Sequence, residues 1–400
     1  MAQRAIIAGA GLGGLAAAIA LRRIGFEVQV LEQADELFEI GAGIQISPNA
    51  TRVLNWLGLE KVLPTFACQP TGHVAVDGVT GKAFFERPLR SVALDRYGAA
   101  YWTMHRADLQ RALLALFGEE SIALGCRVVA AEESDDRVRV TTLDGRTFEG
   151  AILVGADGIK STIRHALGLP DEPVYTGLTA YRGTIASENL PEFALSEAST
   201  NWMGPGGHVV VYPLRNGELT NIVANMDEED WTEESWSLEI SKEELMTKFD
   251  GWSSKLVELL QAVDRPFKWG LYGRQPGSQW GRGRITLLGD AAHPMVPFLA
   301  QGAAMALEDA VVLAGCLARA GLNVQNTLRR YEDLRRDRAA RVQTTALQRA
   351  KVLHLADPQK VIERNRALAE RQSSHDQAYE EFDWIYRYDA VRAGFAADDT

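Results

Sequence analysis

The six residues Gly9-Ala10-Gly11-Leu12-Gly13-Gly14, set between an apolar run and an alanine-rich one, constrain the fold more than any other stretch of this chain. Ala5 to Ala8 reads as a strand, Leu15 to Arg23 as a helix ending near Gly25, and Phe26 to Leu31 as a second strand closing on Glu32. That is the length of a βαβ unit built to hold a dinucleotide. Gly9 turns the chain tightly, Gly11 admits a pyrophosphate to the backbone, and Gly14 lets helix pack on strand. Leu12 belongs to the helix N-terminus, which supplies amide hydrogens and partial positive charge. Glu32 lies 18 positions beyond Gly14, near the spacing at which a carboxylate reaches a ribose hydroxyl.

A second acidic residue narrows the choice of dinucleotide. Ile285 to Leu288 reads as a strand that runs out into Gly289-Asp290-Ala291-Ala292-His293-Pro294. A lone carboxylate at this distant strand end suits a longer cofactor whose far half carries a hydroxylated chain, which favours FAD over NAD. The dinucleotide domain is then discontinuous. Residues 1–170 form its first part, 171–275 a β-rich substrate domain, 276–324 the return segment and 325–400 a C-terminal helical region. The runs Val128 to Ala131, Val138 to Leu143 and Ala151 to Val154 are expected to extend the first sheet. Gln301 to Ala318 reads as a small-residue helix, and the late aromatic cluster Phe382, Trp384, Tyr386 and Tyr388 as part of a helical cap or oligomer contact.

Several polar residues are candidates for the site. Arg106, at a helix start, is either a ligand for pyrophosphate or ribose oxygens or a salt bridge with Asp108. Asp157-Gly158 is either a simple turn or part of the cofactor region. His208 and Tyr212 fall on one face of a strand, roughly 13 Å apart, so they reach opposite edges of one aromatic ring. His208 is placed to take a phenolic proton and Tyr212 to orient the ring, against the alternative of ordinary core-facing polar residues. His293 is read as a backbone-bonding residue rather than a base. A helix beginning near Gln301 suits the negative charge that reduced flavin carries, with Gly302 and Ala303 small enough for close approach.

Composition excludes other classes. The net charge of -11 comes without a sustained basic stripe, which argues against nucleic acid and anionic membranes as partners. Cys68, Cys126 and Cys316 are far apart and lack metal-ligand spacing, so no metal is expected. The first apolar run is broken by Arg4 and passes into the glycine loop, so a cytoplasmic protein is expected.

Taken in order and spacing, Gly9-x-Gly11-x-x-Gly14, then Gly155-Ala156-Asp157-Gly158 with Ser161 and Arg164, then Gly289-Asp290-Ala291-Ala292-His293-Pro294 resemble the single-component FAD-dependent aromatic hydroxylases across nearly the whole chain. Gly41-Ala42-Gly43-Ile44-Gln45, Ala300-Gln301-Gly302-Ala303, Asp383-Trp384 and the His208-x-x-x-Tyr212-Pro213 arrangement look closest to the branch of salicylate hydroxylase, 3-hydroxybenzoate 6-hydroxylase and 6-hydroxynicotinate 3-monooxygenase. The resemblance implies that Asp290 binds the ribityl chain, Arg106 the phosphates or ribityl, and that Gly43 and Val129 also contact the cofactor. Asp157 would have structural and pyridine-nucleotide roles, and Pro297 would face flavin and substrate with Gln301 nearby. Leu299 stands where some relatives carry glycine.

The implied reaction is hydroxylation of a small aromatic acid with NADH (or NADPH) and O2, through a flavin C4a-hydroperoxide. The alternatives are a flavin epoxidase, a hydroxylase of a larger polycyclic or purine substrate, or a flavin-fold binding protein without catalysis. A monomer or homodimer is expected. No second glycine fingerprint lies between Gly158 and Asp290, which argues against a separate NAD(P)H domain.

Overall fold

A computed structural model describes residues 3–37, 42–169, 172–228, 238–319, 323–372 and 376–396; Gly41 lies outside them. Strand Arg4–Ala8 runs into helix Leu12–Arg23, which returns along strand Glu27–Leu31. The two strands pair in parallel, Ala5 opposite Val28 and Ala8 opposite Leu31. They lie in a six-stranded sheet ordered Gly281–Arg282, Ile285–Leu287, Ile152–Gly155, Arg4–Ala8, Glu27–Leu31, Ile122–Ala123. A parallel sheet is covered on both faces, so its central strands carry continuous apolar runs; Ile6, Ile7, Leu153 and Val154 are wholly buried. Helix Leu12–Arg23 packs against helix Gly302–Leu317 as well as the sheet. Its alanines, Ala16, Ala17, Ala18 and Ala20, are therefore buried all round.

Only one of the runs expected to extend this sheet does so. Ile152–Gly155 joins it, whereas Val128–Glu133, Val138–Thr142 and Thr147–Gly150 form a separate antiparallel sheet. Short turns at Asp135-Asp136 and Asp144-Gly145 force antiparallel neighbours, while a parallel sheet gains a strand only through a long crossover.

The second large sheet has eight strands. Six come from the expected 171–275 region, and Gly72–Asp77 and Ala83–Pro88 are added from the first part of the chain. Gly72–Asp77 pairs in parallel with Ser199–Gly204. Side chains alternate between the faces. Val209, Val211, Ile222 and Ala224 pack with Leu256 and Leu260 of helix Ser254–Gln261. His208, Val210, Tyr212 and Val223 point the other way, into a cavity.

Four helices, Val324–Leu353, Pro358–Gln372, Gln377–Tyr386 and Ala390–Phe395, follow the return segment. Phe382 and Tyr386 reach the cavity, so the tail caps the site. No helix among the described residues is long and apolar enough to cross a membrane.

Candidate functional site

The cavity lies between the two sheets and is closed by the C-terminal helices. At one end it is lined by Gly11, Leu12, Gly43, Arg106, Asp290, Gly302 and Ala303, and further along by Pro297, His208 and Tyr212. Ten of the expected site residues are thereby brought together.

The glycine loop shows why each position excludes a side chain. A Cβ on Gly14 would lie 2.0 Å from the Gly9 carbonyl oxygen, so helix and loop touch through backbone alone. A Cβ on Gly11 would meet no protein atom within 4 Å. The space it would enter is open and faces the helix N-terminus, as a cradle for a pyrophosphate requires. Glu32 closes the same loop, its carboxylate accepting from the amides of Ala10 at 2.8 Å and Ala34 at 3.0 Å.

Asp290 follows Gly289, which takes a positive φ of 59° at the end of the Ile285–Leu287 strand. Its side chain opens onto the cavity while protein surrounds it at longer range, so its free surface is cavity surface. Burial pushes its pKa up, with His293, Arg106 and Arg274 pulling the other way. Among the described residues it has no hydrogen-bond partner. Water in the cavity can satisfy a carboxylate that opens onto it, and a hydroxylated chain that displaced this water would supply donors in its place. Arg106 starts helix Arg106–Phe117 across the cavity. With open space at Gly11 and beside Gly302, whose added Cβ would meet only Met295 Cγ at 4.0 Å, these residues fit FAD. Asp290→Ala is expected to lose FAD on dialysis, read as a fall in flavin absorbance per protein. Full retention would contradict the ribityl assignment.

Other expected residues serve the frame. Asp157 caps helix Thr162–Ala166, accepting from the amides of Thr162 at 2.7 Å and Ile163 at 3.1 Å and from the Ser161 hydroxyl at 2.5 Å. Gln301 is buried and turned from the cavity, donating to Ser47 Oγ at 2.8 Å and accepting from Asn49 Nδ2 at 3.0 Å. It thereby ties the start of helix Gly302–Leu317 to helix Pro48–Leu57. Val129 sits at a strand irregularity between Val128 and Ala130, half exposed and away from the cavity lining. The backbone turn before Gly302 falls on Ala300, at φ 52°, rather than on Leu299.

His293 is buried, as the backbone-bonding reading requires, but its partner is a side chain. Its Nε2 lies 2.6 Å from Asp309 Oδ2, which also accepts from the Gly289 amide at 3.0 Å. Asp309 and Glu308 are clamped by Arg335, with Nε to Asp309 at 2.7 Å and Nη1 to Glu308 at 2.6 Å. All three charged side chains are fully buried. This cluster, absent from the sequence reading, holds the loop that presents Asp290.

The opposite wall carries His208 and Tyr212 on strand Gly207–Leu214. Burial, then His354 and Arg349, hold His208 well below its ordinary pKa. Its ring meets Phe298 edge-on, with centroids 5.2 Å apart. Burial raises the Tyr212 pKa, so it remains a neutral phenol. Sequence reasoning missed His73, Arg87, Tyr101 and Arg182, which line the same space. Arg182 lies in register with Val223 two strands from His208, a neighbour set by sheet order rather than local pattern.

A family model described as FAD binding domain matches residues 3–346. The chain is 37% identical over 393 residues to a 3-amino-4-hydroxybenzoate 2-monooxygenase of Streptomyces platensis, covering 98% of this chain and 97% of that protein. It is 38% identical over 347 residues to a 3-hydroxybenzoate 6-hydroxylase of Aquipseudomonas alcaligenes, covering 86% and 88% of the two chains. The crystal structure of Klebsiella pneumoniae HpxO complexed with FAD and uric acid superposes with a TM-score of 0.84 at 29% identity, covering 94% of this chain and 95% of that one.

Proposed function

The chain belongs to the FAD-dependent aromatic monooxygenases, and from that membership we propose that it hydroxylates a small phenolic or heteroaromatic acid with NAD(P)H and O2. When bound, FAD supplies the electron transfer and oxygen activation. The protein's share is to bind the ring, orient it, exclude water and take its phenolic proton.

The observation that carries the acid is that two separate parts of the cavity wall each present a guanidinium, Arg87 on the edge strand of the eight-stranded sheet and Arg182 five strands away, neither with a carboxylate partner among the described residues. Arg87 is 4% exposed and lies over the Phe382 ring, 4.1 Å from its centroid. Arg182 packs on Trp269 at 4.1 Å. Burial draws the Arg182 pKa down to about 10, so it is still a cation at neutral pH. A cation held away from bulk water without a counter-ion is costly, and an incoming carboxylate offsets that cost at whichever of the two it meets. His208 then serves as the base for the ring hydroxyl, and Tyr212, as a neutral phenol, as a donor that orients the ring. The two relatives' names also carry hydroxybenzoates.

A second reading, oxidation of a purine, is supported by the likeness to HpxO bound to uric acid. The test compares reduced-nicotinamide consumption with hydroxybenzoates, their carboxamides and uric acid. The acids are expected to exceed their amides in kcat/KM by about tenfold or more, the value of one charge-assisted hydrogen bond. Equal rates with the amides would remove the acid from the proposal, and preference for uric acid would favour the second reading.

A further inference from the structure

The ring of His208 is one end of a hydrogen-bonded chain that leaves the cavity. His208 Nδ1 lies 2.7 Å from His354 Nε2, at the end of helix Val324–Leu353. His354 Nδ1 lies 2.5 Å from Asp227 Oδ1, at the end of strand Leu219–Asp227. His208 and His354 are 2% and 7% exposed, whereas the Asp227 side chain is 54% exposed. The chain therefore runs from the buried cavity wall to solvent.

The carboxylate fixes the direction of every bond in it. An ionised Asp227 only accepts, so His354 Nδ1 donates to it and His354 Nε2 keeps a lone pair. That lone pair accepts from His208 Nδ1, which leaves His208 Nε2 as the basic nitrogen. Asn225 Nδ2 approaches this Nε2 at 3.2 Å, as a donor should, and Asn225 Oδ1 is buried without a partner. That donor occupies the one lone pair of Nε2, so the amide must turn aside before a substrate hydroxyl can donate there; turned over, it offers Oδ1 to the protonated Nε2.

We propose that His354 and Asp227 form a proton exit for the ring hydroxyl, an inference that rests on His208 being the base. The substrate O–H proton passes to His208 Nε2, the Nδ1 proton of His208 passes to His354 Nε2, and the Nδ1 proton of His354 passes through Asp227 to water. The substrate is left as its phenolate, and each histidine ends neutral in its other tautomer. Return of each ring to its starting tautomer completes the cycle. His354 and Asp227 do not touch substrate, so they are positioning and relay residues. Arg349 faces His208 from the same helix as His354, and its charge disfavours a proton resting on His208.

The test uses oxidised holoenzyme, without turnover. It is mixed, at a pH below the pKa of the free ligand's hydroxyl, with a nitro-substituted hydroxybenzoate, whose phenolate is coloured, in weakly buffered solution containing a pH indicator. In the unsubstituted protein, phenolate colour and bulk proton are expected to appear together and quickly. His354→Gln and Asp227→Asn are expected to slow both signals about tenfold or more, within the range of general acid–base effects. Their flavin spectra should be unchanged. Asp227→Asn, at the protein surface, carries the test if His354→Gln does not fold.

His208→Asn should lose ligand ionisation at that pH. Retained ionisation in that variant would remove the base and the relay together. Lost ionisation there, with unsubstituted kinetics in the other two variants, would overturn the relay alone.

Discussion

His208→Asn is expected to lower the rate of product formation by about 10²- to 10⁴-fold, the usual contribution of a positioned acid–base group, while FAD stays bound. The ring sits on a rigid strand with Phe298 against it, so its loss removes a fixed base. Its environment gives the expected pH response a definite sign. Because burial, His354 and Arg349 hold the His208 pKa well below 6.5, the ring is neutral through neutral pH. Activity that depends on this base should therefore fall only on acidification, with its acid limb below 6.5. Product measured per enzyme-bound FAD across pH tests both statements. A variant with unsubstituted rates, or an acid limb above 6.5, would contradict the assignment.

Arg335→Met is expected to cost about 3–5 kcal/mol of stability at neutral pH, the range seen when one partner of a buried ion pair is removed. Arg335, Glu308 and Asp309 are fully buried, and losing the guanidinium strips Asp309 of its cationic clamp. Glu308 retains Arg338 at 2.7 Å and Asn49 at 2.7 Å, so Asp309 suffers more. Burial alone would raise the Asp309 pKa, but His293 and Arg335 overcome it and hold the carboxyl at about 2.

The sign of the pH effect follows. A depressed folded pKa contributes stability that is present above the ordinary value of 3.8 and lost as pH falls towards about 2. Without Arg335 much of that depression disappears, so the gap between variant and unsubstituted protein should narrow on acidification. Urea unfolding of both holoenzymes at neutral and acidic pH measures it. Because Asp309 holds the Gly289 amide beside Asp290, the variant should also release FAD more readily. A gap below 1 kcal/mol at neutral pH, on the order of a surface ion pair, would mean that the cluster is not a principal support of the loop.

Legibility in the sequence followed the physical origin of each feature. Gly9, Gly14 and Asp290 answer to local backbone geometry or to a strand end, and local sequence records such requirements directly. The parallel pairing of Gly72–Asp77 with Ser199–Gly204 depends on partners far apart in the chain, so strand pattern shows that a strand exists but not which sheet takes it. Arg87 belongs to one of those relocated strands. Glu308-Asp309 did leave a signal, two adjacent acids inside an otherwise small and apolar helix, which is costly unless cations meet them. Their partner Arg335 is hidden among the many arginines of a charged helix. Likewise His354 and His208 meet only because the last turn of that helix reaches the sheet, and no spacing between them encodes it.

On the proposed function, one oxygen atom of O2 is placed on the ring of an acid bound in this cavity. The most direct test is mass analysis of the product formed from the best-stimulating hydroxybenzoate under heavy-isotope O2. The expected product is a ring-hydroxylated acid, or its decarboxylated counterpart, carrying one heavy oxygen. Reduced nicotinamide consumed without any labelled aromatic product, across every acid that binds, would contradict it.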